Sequence, residues 1–258
     1  MKKNQNDFLK NLESQIKQSI PGHSVDCVIV GYKNYELQVL MVKQFSTDKW
    51  ALPGGFIYKD EDLNDAATRV LKERTGVEYS FLEQFYTFGK YKRRDIDQVL
   101  DDLRKGKLNS PFTEEWFKQR FISTAFLALV DINQCDIKAG LYSDDCDWKP
   151  VSGLAELMFD HNQIVDKAIE KIKKQLDYLP IGKALLPKQF TMNDLQRLYE
   201  SILQKKLDRG NFQKKILKLD VLIRKEKFYS GGAHKAPYLY EFDDEKYKRL
   251  LEEGIAFL

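Results

Sequence analysis

The sequence predicts an α+β protein in two parts, a layered sheet-and-helix domain followed by a small helical module that ends in a hairpin. Three observations carry this. β-rich runs alternate with amphipathic helices over the first two thirds of the 258 residues. After Leu185 the order changes to helices followed by two short strands. The charge shifts at the same place: Lys188 to Lys235 holds twelve Lys or Arg against five acids, a balance of +7, which leaves −4 for the rest of a chain whose total is +3. A chain of this length divides naturally into domains of about 180 and 75 residues. The expected boundaries are 1–23 for an N-terminal helical extension, 24–180 for the layered domain and 181–258 for the C-terminal module.

Taken in order, Phe8, Leu9, Leu12, Ile16 and Ile20 recur at helical spacing and predict one apolar stripe. The basic N-terminus has no apolar stretch or small-residue cleavage site, so no secretory signal is expected. No run approaches the roughly eighteen apolar residues that a membrane helix needs. Cys27, Cys135 and Cys146 are odd in number and lack metal-ligand spacing, which fits reduced thiols in a cytoplasm. Ser24–Tyr32 and Leu37–Lys43 read as a hairpin around a turn at Lys33-Asn34. Trp50 to Phe56 leads into a helix from about Leu63 to Arg74, with Ala66, Ala67, Val70 and Leu71 inward and Gly76 as its stop. Leu82–Phe88 and Phe121–Val130 are further strands.

Between those strands, residues 96–120 form a charged, partly helical insertion, for which decoration or a dimer contact is the first expectation and a lid the second. Ile164, Ala168, Ile172 and Leu176 mark a helix of about four turns. Asp160 is expected to be its N-cap and His161 to be structural. A linker is expected from Leu179 to Pro187.

The C-terminal module has the order of a winged helix. Its first helix is capped by Thr191, with Leu195, Leu198, Tyr199 and Ile202 inward; a short second turn is expected at Lys205–Leu207. A third helix is capped by Asp208, with Phe212, Ile216, Leu217 and Leu219 inward. Arg209, Asn211, Gln213, Lys214, Lys215 and Lys218 are then the outward positions suited to bases and phosphates of the major groove. The wing spans Leu222–Phe242 with Gly231-Gly232 at its tip, and its Lys225, Lys227, His234 and Lys235 suit backbone or minor-groove contacts. The basic balance points to a polyanionic partner.

One segment carries chemistry. From Trp50 to Val77 the chain reads WALPGGFIYKDEDLNDAATRVLKERTGV, placing Gly55, Glu61, Arg69, Leu71, Glu73, Gly76 and Val77 in one register. This resembles the Nudix box, the pyrophosphate-hydrolysing signature of Gly, five residues, Glu, seven residues, then Arg-Glu-U-x-Glu-Glu-x-Gly-U, where U is a bulky aliphatic. Seven of its nine positions match. Val70 and Arg74 stand where two metal-binding Glu belong. Positions 70, 73 and 74 share a helical face, where three Glu would form the oxygen cluster that Mg²⁺ prefers. Here the charge of that cluster is zero instead of −3.

A guanidinium about 5 Å from a divalent ion is repelled by roughly 7 kcal/mol at an effective dielectric of about 20, although a side chain swung into solvent would repel less. Its planar fork binds phosphate oxygens instead. Glu61 and Arg69 are expected to form a structural salt bridge. Lys43, Arg69, Arg74 and Arg94 are the candidate ligand contacts, chosen for charge and proximity to the box. No metal, catalytic residue or cofactor is expected.

The whole chain from about Val25 to Phe242 resembles the Nudix-related transcriptional regulators of bacteria, in which a degenerate Nudix domain precedes a winged helix. The marks are Trp50 to Gly55, Glu83-Gln84 with Thr87-Phe88-Gly89, Phe159-Asp160-His161, Leu185-Leu186-Pro187, Phe190-Thr191, Leu198-Tyr199-Glu200 and Asp208 with Asn211-Phe212. In such regulators Arg-Asp-Pro would follow on a short loop, but here Arg94-Asp95 is followed by Ile96 and the insertion. The resemblance implies a Nudix α/β/α sandwich joined to a small winged helix-turn-helix. It also implies a homodimer that binds double-stranded operator DNA and senses ADP-ribose or a related sugar phosphate. The competing expectation is an active Nudix hydrolase of a nucleoside diphosphate derivative, its Mg²⁺ held by Glu73 with Glu61 or Glu115.

Overall fold

A computed structural model describes residues 5–44, 47–77, 81–139, 143–176, 180–229 and 236–253. Its contacts divide the chain into two compact units. The first comprises residues 1–30, 38–130 and 134–168, and the second residues 31–37, 131–133 and 169–258.

The first unit opens with helix α1 (Gln5–Gln18) and most of two long strands, β1 (Ser19–Lys33) and β2 (Glu36–Gln44), whose joined ends at residues 31–37 fall in the second unit. Asn34 and Tyr35 join them with positive φ of 54° and 63°, the paired left-handed turn that suits strand twist, one residue later than expected. Short β3 (Trp50–Ala51) and β4 (Gly54–Tyr58) lead into α2 (Leu63–Thr75). Then come β5 (Phe81–Phe88), the insertion helices α3 (Ile96–Lys105) and α4 (Pro111–Lys118), and β6 (Ile122–Leu129). After β6 come β7 (Ser143–Pro150), which the sequence reading missed, and α5 (His161–Gln175). Among the described residues seven strands form one mixed sheet, with β3-β2-β1-β6-β5 in order, β4 paired to β1 and β7 to β2. β1 and β6 run parallel over eight residue pairs, from His23↔Ile122 to Val30↔Leu129, at the centre of the sheet. Both are apolar in near-continuous runs because both faces are covered.

Two core clusters in this unit bear on the site, beside a smaller one of Val42, Ala51 and Met158. One gathers Val25, Cys27, Ile29 and Leu40 of the sheet with Ala66, Ala67, Val70 and Leu71 of α2, the inward set read from the sequence. The other joins Phe8, Leu12 and Ile16 of α1 to Val99, Leu100, Leu103, Leu108 and Trp116 of the insertion, with Phe121. Burying each such aliphatic side chain contributes about 1.5–3 kcal/mol. The insertion is therefore packed structure and not decoration. Asp95 caps α3 by accepting from Gln98 N–H, and Ser110 with Thr113 forms a capping box on α4. Ile20, expected on the α1 stripe, is exposed because the chain has already turned into β1. Asp160 occupies the N-cap position of α5 through its carbonyl, which accepts from Ile164 N–H, but its carboxylate is turned to Arg93.

The second unit contains α6 (Gly182–Leu185), β8 (Phe190–Thr191), α7 (Met192–Leu203), α8 (Arg209–Lys218), β9 (Leu222–Lys227), β10 (Tyr238–Phe242) and α9 (Asp244–Glu253). Thr191 and Asp194 form a capping box on α7, and Leu195, Leu198, Tyr199 and Ile202 are buried as expected. The strands order β8-β10-β9. Several details differ from expectation. The expected linker holds the short helix α6, whose Leu185 is buried. Residues 204–208 cross to α8 without a helical turn, after Gln204 ends α7 at φ 53°. Leu217 is 42% exposed, since α8 buries only Phe212 and Ile216. α9 was not foreseen.

Candidate ligand cavity and nucleic-acid interface

In the first unit, α2 is aimed by its two ends. It starts after extended Asp62 and stops at Gly76, whose φ of 70° lets its N–H return to Lys72 O. Upstream, Gly54 brings β4 against β1: a Cβ there would lie 2.6 Å from Asp26 Oδ1 and 2.8 Å from Val25 O, so only glycine fits. These elements enclose a cavity of about 550 Å³, a size common for small-molecule sites. Residues from α1, β1, β2, β4, α2, α3 and α4 line it, together with Lys138, Met158, Phe159 and His161.

Four arginines reach this cavity, and their partners set them apart. Arg69 is tied down: Nε donates to Glu61 Oε1 at 2.7 Å, and Nη2 donates to Glu61 Oε2 and to Phe56 O, both at 2.9 Å. Its guanidinium carbon lies 4.2 Å from the centre of the Tyr58 ring. Burial opposes ionisation of Glu61, yet the Arg69 and Tyr58 N–H bonds hold its carboxyl below the usual range. The expected Glu61–Arg69 salt bridge is thus present, and Glu73 stands 3.7 Å from Arg69 Nη1.

Arg93, which the sequence reading passed over, is tied more deeply. Its side chain is 4% exposed; Nη2 donates to Asp160 Oδ1 at 2.7 Å and to Asp26 Oδ2 at 3.3 Å, and Nε donates to Asp160 Oδ2 at 3.0 Å. Ser123 Oγ donates to the same Asp26 oxygen at 2.6 Å. His161 completes this network. Its Nδ1 accepts from Leu52 N–H at 2.9 Å, leaving the proton of the neutral ring on Nε2, 3.7 Å from Asp26 Oδ1. Burial pushes its pKa down despite Asp26, consistent with a neutral structural histidine. A sequence signal for Arg93 existed in the Arg93-Arg94 tandem, but only the fold selects which of the two is paired.

Arg74 and Arg94 are different. Arg74 Nε and Nη1 and Arg94 Nε are buried with no hydrogen-bond partner. Arg74 is not swung out to solvent. Burial lowers its pKa, and lowers that of Arg94 to about 10; arginine side chains stay protonated in proteins. Arg94 Nη2 donates to Phe117 O at 3.2 Å, and its guanidinium carbon lies 4.7 Å from the Phe121 ring centre and 5.4 Å from that of Phe159. Buried polar groups are nearly always satisfied. Both guanidiniums line the cavity, and a planar guanidinium fork has the geometry that suits phosphate oxygens.

The other predicted residues fall unevenly. Lys43 is not brought to the cavity. Side chains alternate along a strand, so while Val42 lines the cavity, Lys43 faces away and pairs with Asp48 at 3.3 Å. The residues present do not fit a magnesium site. Val70 is 1% exposed within the core, Arg74 is cationic, and among the described residues no three His, Cys, Asp or Glu converge on a metal position. Glu61 is committed to Arg69, and Glu115 is exposed on α4 and does not line the cavity.

In the second unit, Asp208 caps α8 by accepting from Asn211 N–H at 2.8 Å, which leaves the Asn211 side chain exposed. Arg209, Lys214, Lys215 and Lys218 are also exposed, and Gln213 is partly so. Positions 211, 214, 215 and 218 are three or four apart and share one face. On the wing, Lys225 is taken by Glu241 of β10, and Lys227 lies 5.5 Å from the Tyr238 ring centre. Exposed Arg224, 4.7 Å from the same ring, is a basic wing residue the sequence reading missed. His234, Lys235 and the Gly231-Gly232 tip lie outside the described residues.

Comparison with known proteins agrees with this division. A family model described as the NUDIX domain matches residues 21–136, and one described as the NrtR DNA-binding winged helix domain matches residues 182–242. The ADPR responsive transcriptional repressor NtrR of Acinetobacter baylyi is 26% identical over 243 residues, which cover 90% of this chain and 88% of that protein. Shewanella oneidensis NrtR, solved in complex with a 27mer DNA, is 27% identical with a TM-score of 0.68, covering 87% of this chain and 95% of its own. A MutT/nudix family protein from Enterococcus faecalis shares the fold with a TM-score of 0.63 at 20% identity, over 93% of this chain and 94% of its own.

Proposed function

Because models of the NUDIX domain and of the NrtR DNA-binding winged helix domain match successive parts of this chain, we propose that it is an effector-responsive transcriptional regulator that binds operator DNA and no longer hydrolyses its ligand. The observation that carries this proposal is that Arg74 and Arg94, each with at least one enclosed N–H group left without a partner, line a cavity whose box has lost two of its carboxylates. Cations can hold a diphosphate, but they cannot supply the activated water that metal-assisted hydrolysis requires. The similarity to a repressor described as ADPR responsive makes ADP-ribose the first effector to test. On the same proposal the exposed face of α8 contacts double-stranded DNA, the working unit is a homodimer, and the protein acts in the cytoplasm. No helix among the described residues is long and apolar enough to cross a membrane.

An effector can shift DNA binding only by its different affinity for the free and DNA-bound protein. The test begins by selecting bound sequences from a pool of random duplexes with the full chain, then titrating ADP-ribose by fluorescence anisotropy at fixed salt. The expected result is sequence-selective binding whose affinity changes with ADP-ribose. Steady Mg²⁺- or Mn²⁺-dependent turnover of ADP-ribose, or retention of every duplex equally, would overturn the proposal.

A further inference from the structure

The insertion between β5 and β6 is part of the cavity wall. Val99 and Leu103 of α3, Leu108, and Phe117 of α4 line the same cavity as Arg74 and Arg94. From the sheet side Phe56 of β4 faces them, its ring centre 6.0 Å from that of Phe117. The insertion also fixes one of the two cations, since the Phe117 carbonyl accepts from Arg94 Nη2 at 3.2 Å. The cavity therefore has Arg74 of α2 in one wall and, in another, aromatic and aliphatic side chains contributed largely by residues 96–120, with Arg94 held against them.

A bare inorganic anion would meet the guanidiniums and leave that second wall without apolar contacts. A ligand carrying a flat or aliphatic body would remove it from water, at about 25 cal/mol per Å² of apolar area. On the reading that the cavity takes a phosphorylated effector, we infer that the insertion is its specificity element. The phosphate rests on Arg74 and Arg94, and the uncharged body of the molecule lies against Val99, Leu103, Leu108 and Phe117. The ligand class is a phosphate or diphosphate ester of a compound with an extended ring or hydrocarbon face.

Isothermal titration of the full chain without DNA tests this with three probes: inorganic pyrophosphate, phenyl phosphate and ADP-ribose. At least one ester should bind about tenfold or more tightly than pyrophosphate. Val99→Trp, which fills the apolar end, and Leu103→Ala, which strips its wall on α3, should each remove that advantage. Pyrophosphate affinity should stay within about threefold. If circular dichroism shows that Val99→Trp does not fold, Leu103→Ala decides alone. Pyrophosphate binding as tight as either ester, or equal weakening of pyrophosphate and ester in the variants, would sink the inference while leaving the anion site intact. Failure of wild-type protein to bind any probe would instead sink the reading of the cavity as an anion site.

Discussion

Arg74 and Arg94 in the cavity and Lys214, Lys215 and Lys218 on α8 carry the same charge in opposite surroundings. The arginines are half-buried, with Nε and Nη1 of Arg74 and Nε of Arg94 enclosed and unsatisfied, whereas the lysines stand in water. An enclosed N–H group without a partner costs stability that a bound anion would restore on the proposed reading. An exposed lysine costs almost nothing and gains by displacing counterions from a polyanion. The difference between the sites is thus one of solvation, and it gives them different signatures in stability, salt and pH.

The largest effect should separate the two kinds of buried arginine. Arg93→Ala leaves Asp26 and Asp160 without their cation and should cost about 3–5 kcal/mol, read from urea unfolding. Arg74→Met removes two enclosed N–H groups that have no hydrogen-bond partner and should raise stability by about 1–3 kcal/mol while abolishing most pyrophosphate affinity. If both variants lose stability alike, Arg74 has a partner in the folded protein and the contrast fails.

Next in size, Lys214→Ala with Lys215→Ala should flatten the slope of log affinity for DNA against log salt by roughly two units, one per lost phosphate contact. Pyrophosphate binding should depend much less on salt, because buried pairs are screened less. Equal slopes at both sites would mean that the cavity is as wet as the helix.

Acid stability gives a finer test. Burial lowers the pKa of His161, and of His23, from 6.5, so the unfolded chain takes up protons first. Stability should be full above pH 6.5 and fall as pH drops through that value. Glu61, held below 4.5, affects stability only at pH values under that. His161→Gln should flatten the upper window in denaturation midpoints measured against pH. A slope left unchanged by the variant would assign that window to other groups. The smallest change is expected from Lys225→Ala, whose partly exposed pair with Glu241 contributes about 0–1 kcal/mol, and whose commitment to that pair should leave DNA affinity within about twofold. A larger loss of DNA affinity would return Lys225 to the interface.

Local rules in the chain were enough for the box helix, its glycine stop, the inward face of α7, the Thr191 and Asp208 caps and the exposed basic face of α8. Each follows from spacing, cap chemistry or charge within a few turns of one helix. The same proximity made the exchange of Glu for Val70 and Arg74 visible at once. What could not be read there involves partners far apart along the chain. Arg93 meets Asp26 and Asp160 across 67 residues in either direction, so nothing near Arg93 distinguishes it from Arg94. Lys43 turns away from the cavity because of the strand register that admits Val42. The insertion looked like surface because its charges are plentiful, yet its apolar residues close on α1 and wall the cavity. Helical periodicity and capping are short-range and survive in one dimension. Burial, pairing and the solvation of a charge depend on which distant segments meet, and those appear only when the chain is folded.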